Sequence, residues 1–221
     1  MTPHRIDSLL HFLESHPASN ASLVRNLVVD NVSEWGLDHN PEDRTRSSFS
    51  TAKLRRIFLL LSSVGHLHIH SYHVFNPNML PVLTNVRELM MEDSRHTSLQ
   101  HTLSFIYAFP MLETLSIVRA TTWGDPSLLP SKYKTRPGQP SFSLHRLDVI
   151  DAYLSSISKW LLGIDPVPPI FSLSLYIVTG IPHDGIALLR SIGPSVLTLE
   201  LKLWTHSASD GMYPICAIFG L

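Results

Sequence analysis

The sequence predicts a mixed α/β fold of stacked strand–helix repeats, and three observations predict it. A six-residue spelling, aliphatic–x–x–aliphatic–x–aliphatic, occurs seven times in 221 residues, starting at Val24, Val64, Val86, Leu112, Leu144, Ile170 and Val196. The third position is polar every time: Asn26, His66, Glu88, Thr114, Arg146, Ser172 and Thr198. The starts are separated by 40, 22, 26, 32, 26 and 26 residues. The spelling alone is common in a chain that is 44% hydrophobic. The polar position and the interval therefore carry the inference.

Met1–Ser15 reads as a short amphipathic helix. Its Ile6, Leu9, Leu10 and Leu13 follow helical spacing, interrupted by Asp7, His11 and Glu14. That interruption argues against a signal peptide. The first strand is Val24–Val29, and the polar stretch 31–52, with Asn40-Pro41, reads as a loop. Leu54, Ile57, Phe58 and Leu61 mark a helix face ahead of the strand Val64–Ile69. A short apolar segment at Met79–Leu83 precedes the strand Val86–Met91. Leu99, Leu103 and Ile106 give a helix before Met111–Val118, where Leu115-Ser116-Ile117 alternates like a half-buried strand.

Ala120–Ser141 carries four prolines and Gly138, so it reads as an inserted loop. Leu144–Val149 restores the strand. Ile157, Trp160, Leu161 and Ile164 form the clearest helix face, closed by Pro166, Pro168 and Pro169. Ile170–Leu175 is the next strand. A last helix at Gly185–Ile192, with Asp184 expected as its N-cap, leads to Val196–Leu201. The expected division is a helical segment at 1–22, a repeat domain at 23–204 and a C-terminal tail at 205–221. The tail is apolar and lacks the polar cap that the end of a repeat array needs, so it reads as truncated.

A strand-plus-helix period of 20–29 residues is that of leucine-rich repeats. The expected architecture is a degenerate leucine-rich-repeat solenoid, with parallel strands on one face and helices on the other. The family's Asn or Cys, three residues after the last aliphatic, is replaced by Val32, Tyr72, Ser94, Ala120, Ala152, Val178 and Trp204. The rival is a doubly wound sheet, whose strands, buried on both faces, want continuous apolar runs rather than alternation.

Composition narrows the function classes. Net charge is −1 and the pI near 6.9, which offers no general pull on nucleic acid or anionic membrane. No apolar run approaches the roughly 20 residues of a membrane span. Lone Cys216 excludes an internal disulfide framework and suits a reducing compartment, hence the cytoplasm or nucleus.

Period-2 alternation puts one set of strand residues on a shared exposed face. Seven triplets make up that face: Asn26, Val28, Asp30; His66, His68, His70; Glu88, Met90, Glu92; Thr114, Ser116, Val118; Arg146, Asp148, Ile150; Ser172, Ser174, Tyr176; Thr198, Glu200, Lys202. His66, His68 and His70 are three imidazoles in a row and candidate zinc ligands, with Glu88 and Glu92 as candidate further ligands or hydrogen-bond acceptors behind them. Three imidazoles on one flat strand splay rather than converge, so no metal and no cofactor is assigned. His183-Asp184 lacks the further ligands of a metal phosphohydrolase. Lys132, Tyr133, Lys134 and Arg136 form a basic loop segment read as solvated. Trp160 belongs to the core by its helix stripe, whereas Trp123 and Trp204 fit either an interface anchor or a strand corner. No nucleophile elbow, phosphate loop, dinucleotide turn or zincin helix occurs.

Four stretches carry a family likeness: Phe12–Pro17 followed by Leu23–Leu27, then Phe109–Ile117, then Ser143–Val149. Together they resemble fungal F-box-type proteins with degenerate leucine-rich repeats, over about residues 6–204. Periodic alternation and the absence of a catalytic motif point to a non-enzymatic scaffold, with no catalytic residue, that binds a protein on its concave strand face, and the resemblance implies that this protein is one marked for ubiquitination. It also implies a substrate-recognition role in a ubiquitin-ligase adaptor. A Skp1-like adaptor would enter only through an F-box, and none is visible in this sequence. The alternative is an α/β hydrolase or transferase whose site is built from strand ends.

Overall fold

The computed structural model describes residues 3–15, 21–29, 53, 55–70, 83–92, 99–119, 143–150, 154–177, 181–207 and 211–220. In chain order these hold α1 (Pro3–Ser15), β1 (Asn26–Val29), α2 (55–60), β2 (His66–His70), β3 (Glu88–Glu92), α3 (Leu99–Ile106) and β4 (Thr114–Val118). There follow β5 (Arg146–Ile150), α4 (Leu154–Leu162), β6 (Ser172–Ile177), α5 (His183–Ile192), β7 (Thr198–Ser207) and β8 (Gly211–Gly220). The strands form one eight-stranded sheet in sequence order. β1 to β7 run parallel, and β8 turns back antiparallel to β7. A doubly wound sheet needs a point where strand order reverses, and this order never reverses.

All seven spellings become strands, and their register is uniform. Leu27, Leu67, Leu89, Leu115, Leu147, Leu173 and Leu199 stand opposite one another across the parallel sheet. The five central leucines are buried at 0–1% exposure, and the two end ones are half-buried. Ile69, Met91, Ile117, Val149 and Leu175 form a second buried row beside them. A one-residue slip would turn both rows outward, so burial of one face locks the register.

Each strand begins at the polar third position of its spelling, two residues later than the first aliphatic. That aliphatic lies in a turn. Val64, Val86, Leu112 and Val196 donate their N–H groups to carbonyls three residues back, at 3.1–3.3 Å. The residue before each strand then ties one layer to the next. The carbonyls of Arg25, Gly65, Arg87, Glu113, His145 and Phe171 each accept two N–H groups from the start of the following strand. The same pair of bonds recurs six times and satisfies backbone that would otherwise be left unpaired at the turn.

The helices fill the core against the leucine rows. Ile57, Phe58 and Leu61 come from around α2, and Leu103, Phe105 and Ile106 from α3. α4 supplies Ile157, Trp160 and Leu161, and α5 supplies Leu188 and Ile192. α1 adds Leu13 and is held to the α2 region by the pairs Asp7–Lys53 and Glu14–Arg56. Among the described residues, no helix is long and apolar enough to cross a membrane.

Two expectations need correcting. Asp184 is not the N-cap of α5: Pro182 holds that position without a side-chain hydrogen bond. Asp184 sits in the first turn, where a carboxylate favours the positive end of the helix dipole. The segment 205–221, expected to be a tail, carries the end of β7 and all of β8. Tyr213, Ile215 and Ile218 suit a strand, and Pro214 is tolerated because β8 pairs on one side only within the described sheet. The loops expected at 31–52 and 120–141 lie outside the described residues.

Candidate functional site: the open face of the sheet

The residues alternating with the leucine rows form the other face, and register sorts them into rows. Asn26, His66, Glu88, Thr114, Arg146, Ser172 and Thr198 make the first row. Val28, His68, Met90, Ser116, Asp148, Ser174 and Glu200 make the second. His70, Glu92, Val118, Ile150, Tyr176 and Lys202 make the third. The predicted residues are thus brought to one face, except Asp30, which lies outside the described residues; contrary to the expected exposure, Val118, Asp148 and Ser174 on that face are buried, because neighbouring side chains cover them.

The histidines of β2 are paired across strands with glutamates of β3, because side chains at register or diagonal positions lie within reach. His66 Nδ1 is 2.7 Å from Glu88 on the adjoining strand, and His68 Nε2 is 3.1 Å from Glu92 on the diagonal. Glu92 also holds the guanidinium of Arg119. Arg119 follows β4 in the left-handed region, with φ 53°, and its N–H donates to the Ile150 carbonyl at 2.8 Å. Sequence reasoning missed this residue, since nothing local marks an arginine that must turn left-handed to reach Glu92. It also missed the Arg87–Glu113 pair just before β3 and β4.

On β6 and β7 a tighter cluster forms. Lys202 Nζ donates to Glu200, at 2.7 Å, and to the Tyr176 hydroxyl, and it lies 4.2 Å from the Tyr176 ring centre. Ser174 Oγ donates to Glu200 at 3.3 Å. The Lys202 hydrogen bond holds the Glu200 carboxyl below its usual range, with Ser174 adding to the effect. In turn, Glu200 and Tyr176 push Lys202 above the usual lysine range.

Between β1 and β5 the face sinks into a groove of about 370 Å³. Asn26, Val28, His66, His68, Glu88, Met90, Thr114, Ser116, Arg146 and Asp148 line it, with Leu27, Leu67 and Leu89 at the floor. Four strand spacings make it roughly 19 Å long. At the β5 end, Arg146 Nε donates to both oxygens of Asp148, at 3.2 and 3.1 Å. Ser172, Tyr176, Thr198, Glu200 and Lys202 lie beyond the groove, and His70 and Glu92 stand in the row beside it.

Among the described residues, no group of three or more His, Cys, Asp and Glu side chains is placed to hold a metal ion. His66 and His68 face glutamates instead. His183 and Asp184 belong to the helical layer, where Asp184 accepts a hydrogen bond from Ser155 and lies 3.6 Å from Lys159 Nζ. Trp160 is core, 5% exposed. Trp35, Trp123 and the basic segment Lys132–Arg136 lie outside the described residues, as does the side chain of Trp204. No family model matches the chain, and no curated protein and no solved structure matches it.

Proposed function

We propose that the chain is a non-enzymatic protein-interaction scaffold, a leucine-rich-repeat-like solenoid whose open strand face grips a partner. The observation that supports this most is the shared register. Seven strands present their third-position polar residues in one row, while one leucine row is buried beneath them. Repeats stacked in this way make extended contact surfaces rather than deep pockets. The groove fits that description, being long and shallow and lined by mixed polar groups. In the finer form, suggested only by the family likeness, the partner is a protein marked for ubiquitination and the setting is the cytoplasm or nucleus.

A photo-crosslinking residue placed at Ser116, in the groove, tests the reading against one at Arg190, an exposed position on α5. Discrete adducts from cell extract at Ser116, absent at Arg190, are expected. Adducts at both positions or at neither would remove the open face as the binding surface.

A further inference from the structure

The pairing pattern on the open face indicates the chemistry of what the groove holds. Each glutamate there already has a partner. Glu88 has His66, Glu92 has His68 and Arg119, and Glu200 has Lys202 and Ser174. Arg146 differs. It spends only Nε on Asp148, and its two terminal nitrogens have no hydrogen-bond partner among the described residues.

Asp148, two residues along the same strand and 9% exposed, holds the guanidinium through Nε, while the Arg146 side chain remains 56% exposed. A guanidinium held through Nε keeps its outer edge, two parallel N–H donors, for a bidentate carboxylate. The register places Thr114 and Ser172 directly beside Arg146, about 4.8 Å away on either side. Their hydroxyls can add donors to the same anion. A phosphate dianion suits the place less well, because the Asp148 carboxylate against the guanidinium repels a double charge more than a single one.

The rest of the groove is apolar at two points. Met90 is two strands from Arg146, and Val28, 62% exposed, is four strands away. These spans are roughly 10 and 19 Å, which an extended chain covers in about three and six residues.

We infer that the groove takes an extended peptide segment of a partner protein, seating an acidic side chain on Arg146 and apolar side chains over Met90 and Val28. This rests on the scaffold reading and names its ligand. Carboxylate recognition by the outer edge of Arg146 selects the segment, and the apolar contacts set its direction.

The test uses three immobilised peptide libraries that differ at one fixed position, Glu, Gln or phosphoserine, each with six degenerate residues on both sides. The full chain is expected to bind the Glu library about tenfold better than the Gln library, as befits a hydrogen bond to a charged group. Arg146→Gln, on an exposed side chain, should abolish that preference, and Met90→Asp should weaken binding to all three libraries. A Glu preference that survives Arg146→Gln overturns the inference, and so does preference for phosphoserine. If no library binds but the Ser116 crosslink still forms, the peptide inference fails and the scaffold reading stands. If both are absent, the scaffold reading fails with it.

Discussion

The indole N–H of Trp160, on α4, donates to the hydroxyl of Tyr107, just after α3, at 2.8 Å, and their rings meet edge to face. The bond joins two layers that are 53 residues apart in sequence. Removing the acceptor takes a hydrogen bond from a side chain that is 5% exposed. Tyr107→Phe is therefore expected to lower stability by about 0.5–1.5 kcal/mol, the net worth of such a bond. Urea unfolding of the two proteins measures it, and an unchanged midpoint would show the bond to be incidental.

Adjacent residues of β4 should respond very differently. Leu115→Ala empties part of the buried leucine row and should cost about 2–5 kcal/mol. Ser116→Ala, one residue on and on the open face, should stay within about 0.5 kcal/mol. Equal losses at both positions in denaturant titrations would mean that the two faces are not distinguished by burial.

α4 and α5 approach closely at Gly185. A Cβ there would lie 3.0 Å from Ile181 Cγ2 and 3.1 Å from Leu154 Cδ2. Gly185→Val adds bulk where there is none to spare and should destabilise by about 1–3 kcal/mol despite removing a flexible glycine. Thermal unfolding reads this directly. A variant as stable as the parent would show that the two helices can separate freely.

The Ser155 hydrogen bond holds the Asp184 carboxyl below the usual aspartate value, with Lys159 adding to it. A carboxyl lowered on folding stabilises the fold at pH values above its unfolded value, about 3.9. That contribution is lost as pH falls through the folded value. Ser155→Ala should move the Asp184 titration upward toward the ordinary value and flatten the acid-side dependence of stability. Carboxyl-carbon NMR of the variant follows the shift, and an unmoved titration would assign the effect elsewhere.

The strands and their inward faces were legible because alternation is a property of each segment alone. Leu89, Met91, Leu115 and Ile117 are apolar where Glu88, Met90, Thr114 and Ser116 mostly are not, and burial follows that pattern. The predicted face residues consequently fell on one side of the sheet. Their partners did not follow from spacing. His68 reaches the diagonal Glu92 while His66 takes the directly opposite Glu88. Arg146 turns to Asp148 on its own strand rather than to a neighbour. β8 was missed because it lacks the aliphatic spelling, and its strand depends on β7 being extended beside it.

Seven polar-starting aliphatic segments at a recurring interval were enough to specify parallel strands, their register and the face they bury, since apolar burial tolerates no slip. Three things were decided only once the layers were stacked: the left-handed turn of Arg119 toward Glu92, the attachment of Asp184 to Ser155, and the choice of Asp148 by the Arg146 Nε. Each depends on distances between groups that the chain separates by up to 29 residues, or on which of several nearby partners a side chain takes. Such choices are settled by packing in three dimensions, and no local pattern encodes them.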